Sequence, residues 1–133
     1  MKKTVNKETV NKKTVNKENR QGVTVIMRTE IAKKKKETAD FIFRHPELAL
    51  HEKESSARLA EFLESEGFAV SWNLAGFETA FVAEWGGGKP VIGFLAEYDA
   101  LPGLGQKPEC TCAPTGGPGH GCGHNLLGTC LLY

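Results

Sequence analysis

The sequence has no run of the roughly 18 apolar residues that a membrane-spanning helix needs, so no bilayer span and no membrane partner are expected. No apolar stretch follows the lysine-rich N-terminus. That end does not read as a secretory signal, and a cytoplasmic location is the expectation. Net charge is small, +1 over 133 residues. Cysteine is sparse, with four residues at positions 110, 112, 122 and 130. Without an export signal disulfides are not expected, and a Cys110–Cys112 bridge across one residue would be strained. Metal binding and burial are the readings left for the thiols. The length suits a single domain.

The small net charge hides an uneven distribution. Residues 1–20 hold seven Lys or Arg against two Glu, a net of +5; the rest holds ten against fourteen Asp or Glu, a net of −4. A basic tail can attract phosphates. Charge with no recognition chemistry beside it reads first as a solvated segment, and no nucleic-acid partner is assigned.

The tail is a repeat of period five: Thr4-Val5-Asn6-Lys7-Glu8, Thr9-Val10-Asn11-Lys12-Lys13, Thr14-Val15-Asn16-Lys17-Glu18. Five matches neither the helical nor the strand period, and one Val per unit is too little to bury. Residues 1–27 are therefore expected to be a disordered low-complexity tail. Met27 is a more natural start for the folded part, 28–133.

From Thr29, a possible N-cap, the pattern turns helical. Ile31, Ala32, Ala39, Ile42 and Phe43 recur near one face, and Lys33 to Lys36 cover the other. Pro46 ends this helix near Arg44-His45. A second helix is expected over about 53–66. Ala57, Leu59, Ala60, Phe62 and Leu63 form its buried side, and Gly67 its C-terminal cap. The period then switches to alternation. Phe68 to Leu74 reads as a half-buried strand with Glu78 to Trp85 as its partner. Trp72 and Trp85 fall in core or sheet-surface positions. Pro90 to Ala96 is almost continuously apolar, as a central strand covered on both faces would be. It runs into Glu97-Tyr98-Asp99, and in open α/β sheets chemistry gathers at strand carboxyl ends. Leu101 to Gly119 is a Gly/Pro-rich loop. Asn125 to Tyr133 opens a helix with Cys130 in its core.

The chemistry concentrates in His120-Gly121-Cys122-Gly123-His124. A thiolate and a neutral imidazole are both good zinc ligands, and the interleaved glycines let the backbone pass close to an ion. Glu97 or Asp99 could ligate, or could accept the second ring N–H of a ligating His and fix its tautomer. A second arrangement stays open: Cys110, Cys112, Cys122 and His124 as a closed Cys₃His structural site. In that case the protein is a small non-catalytic zinc module.

Phe94-Leu95-Ala96-Glu97-Tyr98-Asp99-Ala100-Leu101-Pro102 followed by Gly116-Gly117-Pro118-Gly119-His120-Gly121-Cys122-Gly123-His124-Asn125-Leu126-Leu127-Gly128-Thr129 closely resembles metallopeptidase family twenty. The match is to its amidohydrolase branch, the branch that includes aminobenzoyl-glutamate hydrolase. His45-Pro46-Glu47-Leu48 and Glu52 resemble that family's N-terminus. The resemblance implies a three-layer α/β/α zinc-peptidase-type catalytic domain with a mainly parallel sheet. It implies two divalent metals, zinc or manganese, and cleavage of the amide of an N-acyl amino acid or dipeptide-like small molecule. The full-length form would be a homo- or hetero-oligomer. By the same resemblance Cys122 and His124 are metal ligands and Asp99 an orienting catalytic group. Glu97 and His120 are supporting residues, Glu97 standing where other branches carry a ligand His. The family's general base and remaining ligands lie far downstream, and this chain ends nine residues after His124. The expectation is therefore an N-terminal part of the catalytic domain, inactive alone. A degenerate gene fragment is the remaining alternative.

Overall fold

The structure is a computed structural model that describes residues 17–109 and 113–132, and of residues 17–28 the backbone alone. The chain divides into two compact units, Met1–Ile31 and Ala32–Tyr133. The elements are α1 (Lys17–Arg44), α2 (Lys53–Ser65), β1 (Ala69–Trp72), β2 (Phe81–Glu84) and α3 (His124–Cys130). Among the described residues the result is a small α/β arrangement with one antiparallel strand pair, and the mainly parallel sheet expected is not seen among them.

The helix α1 starts twelve residues ahead of Thr29, so Thr29 is helix interior and not an N-cap. Residues 17–27, expected as unstructured tail, are helical, and residues 1–16 lie outside the described residues. No proline interrupts Lys17–Arg44. Once a turn is nucleated, each further residue adds a hydrogen bond for one pair of dihedrals fixed, so a helix extends past its apolar face. Thr38, Ala39 and Ile42 supply the buried side of the second unit's portion. The helix stops as expected before Pro46: His45 N–H still bonds back to the Phe41 carbonyl at 3.0 Å, and the pre-proline position disfavours a further turn.

The helix α2 buries Ser55, Ser56, Leu59, Ala60, Phe62 and Leu63. Ala57 is exposed, contrary to expectation, because the buried stripe runs 55, 56, 59, 60, 63 at helical spacing and position 57 lies off it. Gly67 caps the C-terminus with φ +91°. Its N–H bonds to the Glu64 carbonyl and that of Phe68 to the Leu63 carbonyl, both at 3.0 Å. At the other end the Glu47 carboxylate accepts from the N–H groups of Glu54 (3.0 Å) and Ser55 (2.8 Å). It thus satisfies two donors that a helix start leaves open.

The expected hairpin forms, with shorter strands. Ala69 pairs with Glu84 and Trp72 with Phe81, and the Trp72 and Phe81 rings lie 5.2 Å apart. Left-handed backbone at Asn73 and Ala75 ends the first strand early. Trp72 and Trp85 are both surface residues.

The apolar run 90–96 is not a strand. A strand exists by pairing, and none runs beside it among the described residues. Val91, Ile92, Phe94 and Leu95 are 74–89% exposed. Backbone pairing returns where the run ends. Ala100 N–H donates to the Glu47 carbonyl at 2.7 Å, making a parallel bridge from Leu48 to Ala100. Leu101 and Gly119 then exchange two backbone hydrogen bonds at 2.9 Å. Gly119 is required there: a Cβ would come within 2.0 Å of the Leu104 carbonyl oxygen. The helix α3 turns Asn125, Gly128, Thr129 and, just beyond its end, Leu132 inward. Cys130 therefore faces out and is not the core residue expected. Among the described residues no helix is long and apolar enough to cross a membrane.

Candidate metal centre

His124 is the first residue of α3, behind Gly123, whose φ of +77° suits glycine and reverses the chain into the helix. Entry through Gly123 brings the His124 ring against the end of the 90–99 segment. Nδ1 lies 2.7 Å from Oδ1 of Asp99, and Nε2 lies 3.2 Å from Oε2 of Glu97. Ligand atoms of Glu97, Asp99 and His124 all fall within 4.8 Å of one another. Asp99 and His124 are partly buried and Glu97 is exposed.

The donor set fits a divalent cation. An ionised Asp99 can only accept, so the short contact places the ring hydrogen on Nδ1 and leaves the Nε2 lone pair facing a Glu97 oxygen. Two electron-rich atoms at 3.2 Å call for a positive charge between them, either a proton or a metal. Nitrogen and carboxylate oxygen together suit zinc or manganese.

The other expected site residues are placed differently. Cys122 is an exposed free thiol and is not one of the three-residue group. Cys110 and Cys112 lie outside the described residues. His120 is buried and points into the fold, where its Nε2 donates to the Ile42 carbonyl at 3.0 Å. Burial pushes its pKa below the usual histidine value, against the opposing pull of the Ile42 carbonyl. His120 Nδ1 is buried without a hydrogen-bond partner. His120 also lines a cavity of about 250 Å³ with Phe43, Arg44, Lys107 and Pro118, none of which belongs to the Glu97–Asp99–His124 group.

Two carboxylates near the site escaped sequence reasoning in their roles. Glu47 caps α2 from six residues ahead of its first residue, beyond the reach of any local capping pattern. Glu52 is 8% exposed and accepts from Leu50 N–H and the Thr79 hydroxyl. Nothing local in the sequence signals that burial.

No family model matches the chain. Curated relatives do. Over 94 residues it is 52% identical to a subunit of the p-aminobenzoyl-glutamate hydrolase of Escherichia coli, covering 68% of this chain and 20% of that protein. The chain belongs to metallopeptidase family twenty. Other relatives in the family are an Xaa-Arg dipeptidase of Mus musculus, 38% identical over 96 residues (65% of this chain, 19% of the relative), and N-acetylcysteine deacetylase of Bacillus subtilis, 31% identical over 98 residues (68% and 26%). The chain thus spans about a fifth to a quarter of the length of these family members.

Proposed function

We propose that this chain carries part of the metal centre of an amidohydrolase that cleaves the amide bond of an N-acyl amino acid or a dipeptide-like substrate. The observation that carries the reading is the His124 ring held between the carboxylates of Asp99 and Glu97. The names of the three relatives support the substrate class. Aminobenzoyl-glutamate, an Xaa-Arg dipeptide and N-acetylcysteine are each an acyl group joined to an amino-acid nitrogen.

In this reading His124 Nε2 and the Glu97 carboxylate hold a divalent metal, zinc or manganese. Cys122 is a further ligand, two residues before His124 on the same turn. A metal bound there would polarise the scissile carbonyl and lower the pKa of its water. Asp99 holds the proton on Nδ1 and so keeps Nε2 free as a donor. His120 supports the turn from beneath, through its bond to Ile42. A second metal would need ligands beyond this group.

The activity proposed is that of the whole protein, to which residues 28–133 contribute the N-terminal part of the catalytic domain. The relative that is itself one subunit of a hydrolase supports an oligomeric assembly. A cytoplasmic location is part of the same proposal.

The test, run on the whole protein, is release of free amino acid from aminobenzoyl-glutamate, an N-acetyl amino acid and a dipeptide, with zinc or manganese supplied. Release that stops on chelation and in His124→Ala is expected. Release indifferent to both would sink the reading.

A further inference from the structure

Glu97 and Asp99 reach the same imidazole, yet the segment that carries them pairs with no strand ahead of Ala100 among the described residues. Sheet hydrogen bonds therefore do not fix these two carboxylates. Tyr98, the residue between them, faces the hairpin instead. Its hydroxyl donates to the Thr79 carbonyl at 2.5 Å, and its ring lies 6.1 Å from that of Phe81. The Thr79 hydroxyl, itself buried, donates to Oε2 of Glu52 at 2.8 Å. The other Glu52 oxygen accepts from Leu50 N–H at 2.9 Å. A continuous chain of bonds thus runs from the site segment to the start of α2.

A second tie lies just beyond Asp99. Ala100 N–H is bonded to the Glu47 carbonyl, and the carboxylate of the same Glu47 caps α2. The carboxylate pair is held from both sides against one helix end. On the third side is α3, close enough that a Cβ on Gly128 would sit 3.4 Å from the Glu97 carbonyl oxygen and 3.6 Å from Tyr98 Cβ. Glu97 and Asp99 thus reach His124 while Tyr98 between them reaches the hairpin.

We propose that Tyr98 is a positioning residue of the metal centre, holding the Glu97 and Asp99 carboxylates against His124 through Thr79 and Glu52. The proposal rests on the metal reading of the site. A tyrosine hydroxyl drawn away from water usually finds a partner. What sets this one apart is that its neighbours on both sides are site carboxylates and its partner is fastened to a buried carboxylate.

The test uses zinc binding by Tyr98→Phe, Thr79→Val, Thr79→Ser and the double variant Tyr98→Phe/Thr79→Val, with circular dichroism to confirm folding. Removing an outer partner of a metal ligand typically weakens binding about 10- to 100-fold. Tyr98→Phe and Thr79→Val are each expected to lose about tenfold, and the double variant little more, since both break one chain. Thr79→Ser keeps the hydroxyl and restores binding. Folded Tyr98→Phe and Thr79→Val proteins that bind zinc as tightly as wild type would overturn the proposal. So would a Thr79→Ser variant as weak as Thr79→Val. If Tyr98→Phe does not fold, the Thr79 pair decides.

A metal-free readout separates this proposal from the metal reading. Nitrogen NMR of the neutral His124 ring, recorded at alkaline pH, should show the Nδ1–H tautomer in wild type and a mixture in Tyr98→Phe and Thr79→Val. An unchanged tautomer in both variants contradicts the positioning role. Wild-type protein that takes up no zinc contradicts the metal reading alone.

Discussion

His124 Nδ1 sits 2.7 Å from Asp99 Oδ1, a contact that fixes which ring nitrogen carries hydrogen and which faces Glu97. Asp99→Ala removes the acceptor and frees the ring to rotate and exchange tautomers. Zinc binding should weaken about 10- to 100-fold, the range for lost support of a metal-bound histidine. Asp99→Asn keeps an acceptor oxygen without the charge and should fall between. A competition titration with a chromophoric chelator measures both. Wild-type affinity in Asp99→Ala would show that the contact supports nothing.

The thiols distinguish an amidohydrolase site from a closed zinc module. Cys122→Ala should weaken metal binding, whereas Cys110→Ala and Cys112→Ala should leave it unchanged. Equal loss at all three, and at His124, would favour the Cys₃His module instead. Metal content after dialysis is sufficient to read the difference.

Glu47→Ala removes the carboxylate that accepts from two N–H groups in the first turn of α2. Loss of a helix cap costs about 1 kcal/mol, up to about 2, and the charge at a helix start adds to that. Urea unfolding of Glu47→Ala should show a lower midpoint, with Glu47→Gln losing less. An unchanged midpoint in Glu47→Ala would mean that water caps the helix equally well.

Much of this was legible from local pattern. The second helix, its glycine cap, the helix stop before Pro46 and the hairpin all follow from spacings within a few residues. Two of the failures depend on something distant. Whether Val91 to Leu95 becomes a strand depends on neighbours to pair with, not on its own apolarity. Cys130 looked buried within an apolar run, but α3 rotates to place Asn125 and Thr129 inward. Thr29 resembled a cap because apolar residues begin after it, whereas helix propagation needs no apolar face. At the site, residue chemistry marked Glu97, Asp99 and His124, and the fold brings His124 to Asp99 across 25 residues of sequence. It could not mark Thr79 and Glu52, whose importance lies in where their hydrogen bonds lead.

Tyr98 gives a pH dependence with a definite sign. Burial first, and the Glu52 charge second, push its pKa from the usual 10 up to about 12. The folded chain therefore holds this proton more tightly than the unfolded chain does. The stability it contributes is full below pH 10 and is lost as pH rises from 10 through 12. Alkaline unfolding curves should steepen in that window, and phenolate absorbance should show a late step that Tyr98→Phe removes. A Tyr98 that ionised at the ordinary value would contradict the part-buried hydrogen bond to Thr79.

Gly119 tests the packing beneath the metal-site turn. An added Cβ would strike the Leu104 backbone, which has no flexible end to move aside. Overpacking of this kind costs about 1–3 kcal/mol. Gly119→Ala should lower the unfolding midpoint accordingly, while Gly87→Ala, with open space around its Cβ position, should not.

The most direct test of the central claim is calorimetric titration of the protein with zinc and with manganese, wild type against His124→Ala. Saturable uptake of at least one ion by wild type, abolished in His124→Ala while the variant remains folded, is the result predicted. No uptake by wild type, or undiminished uptake by His124→Ala, would contradict it.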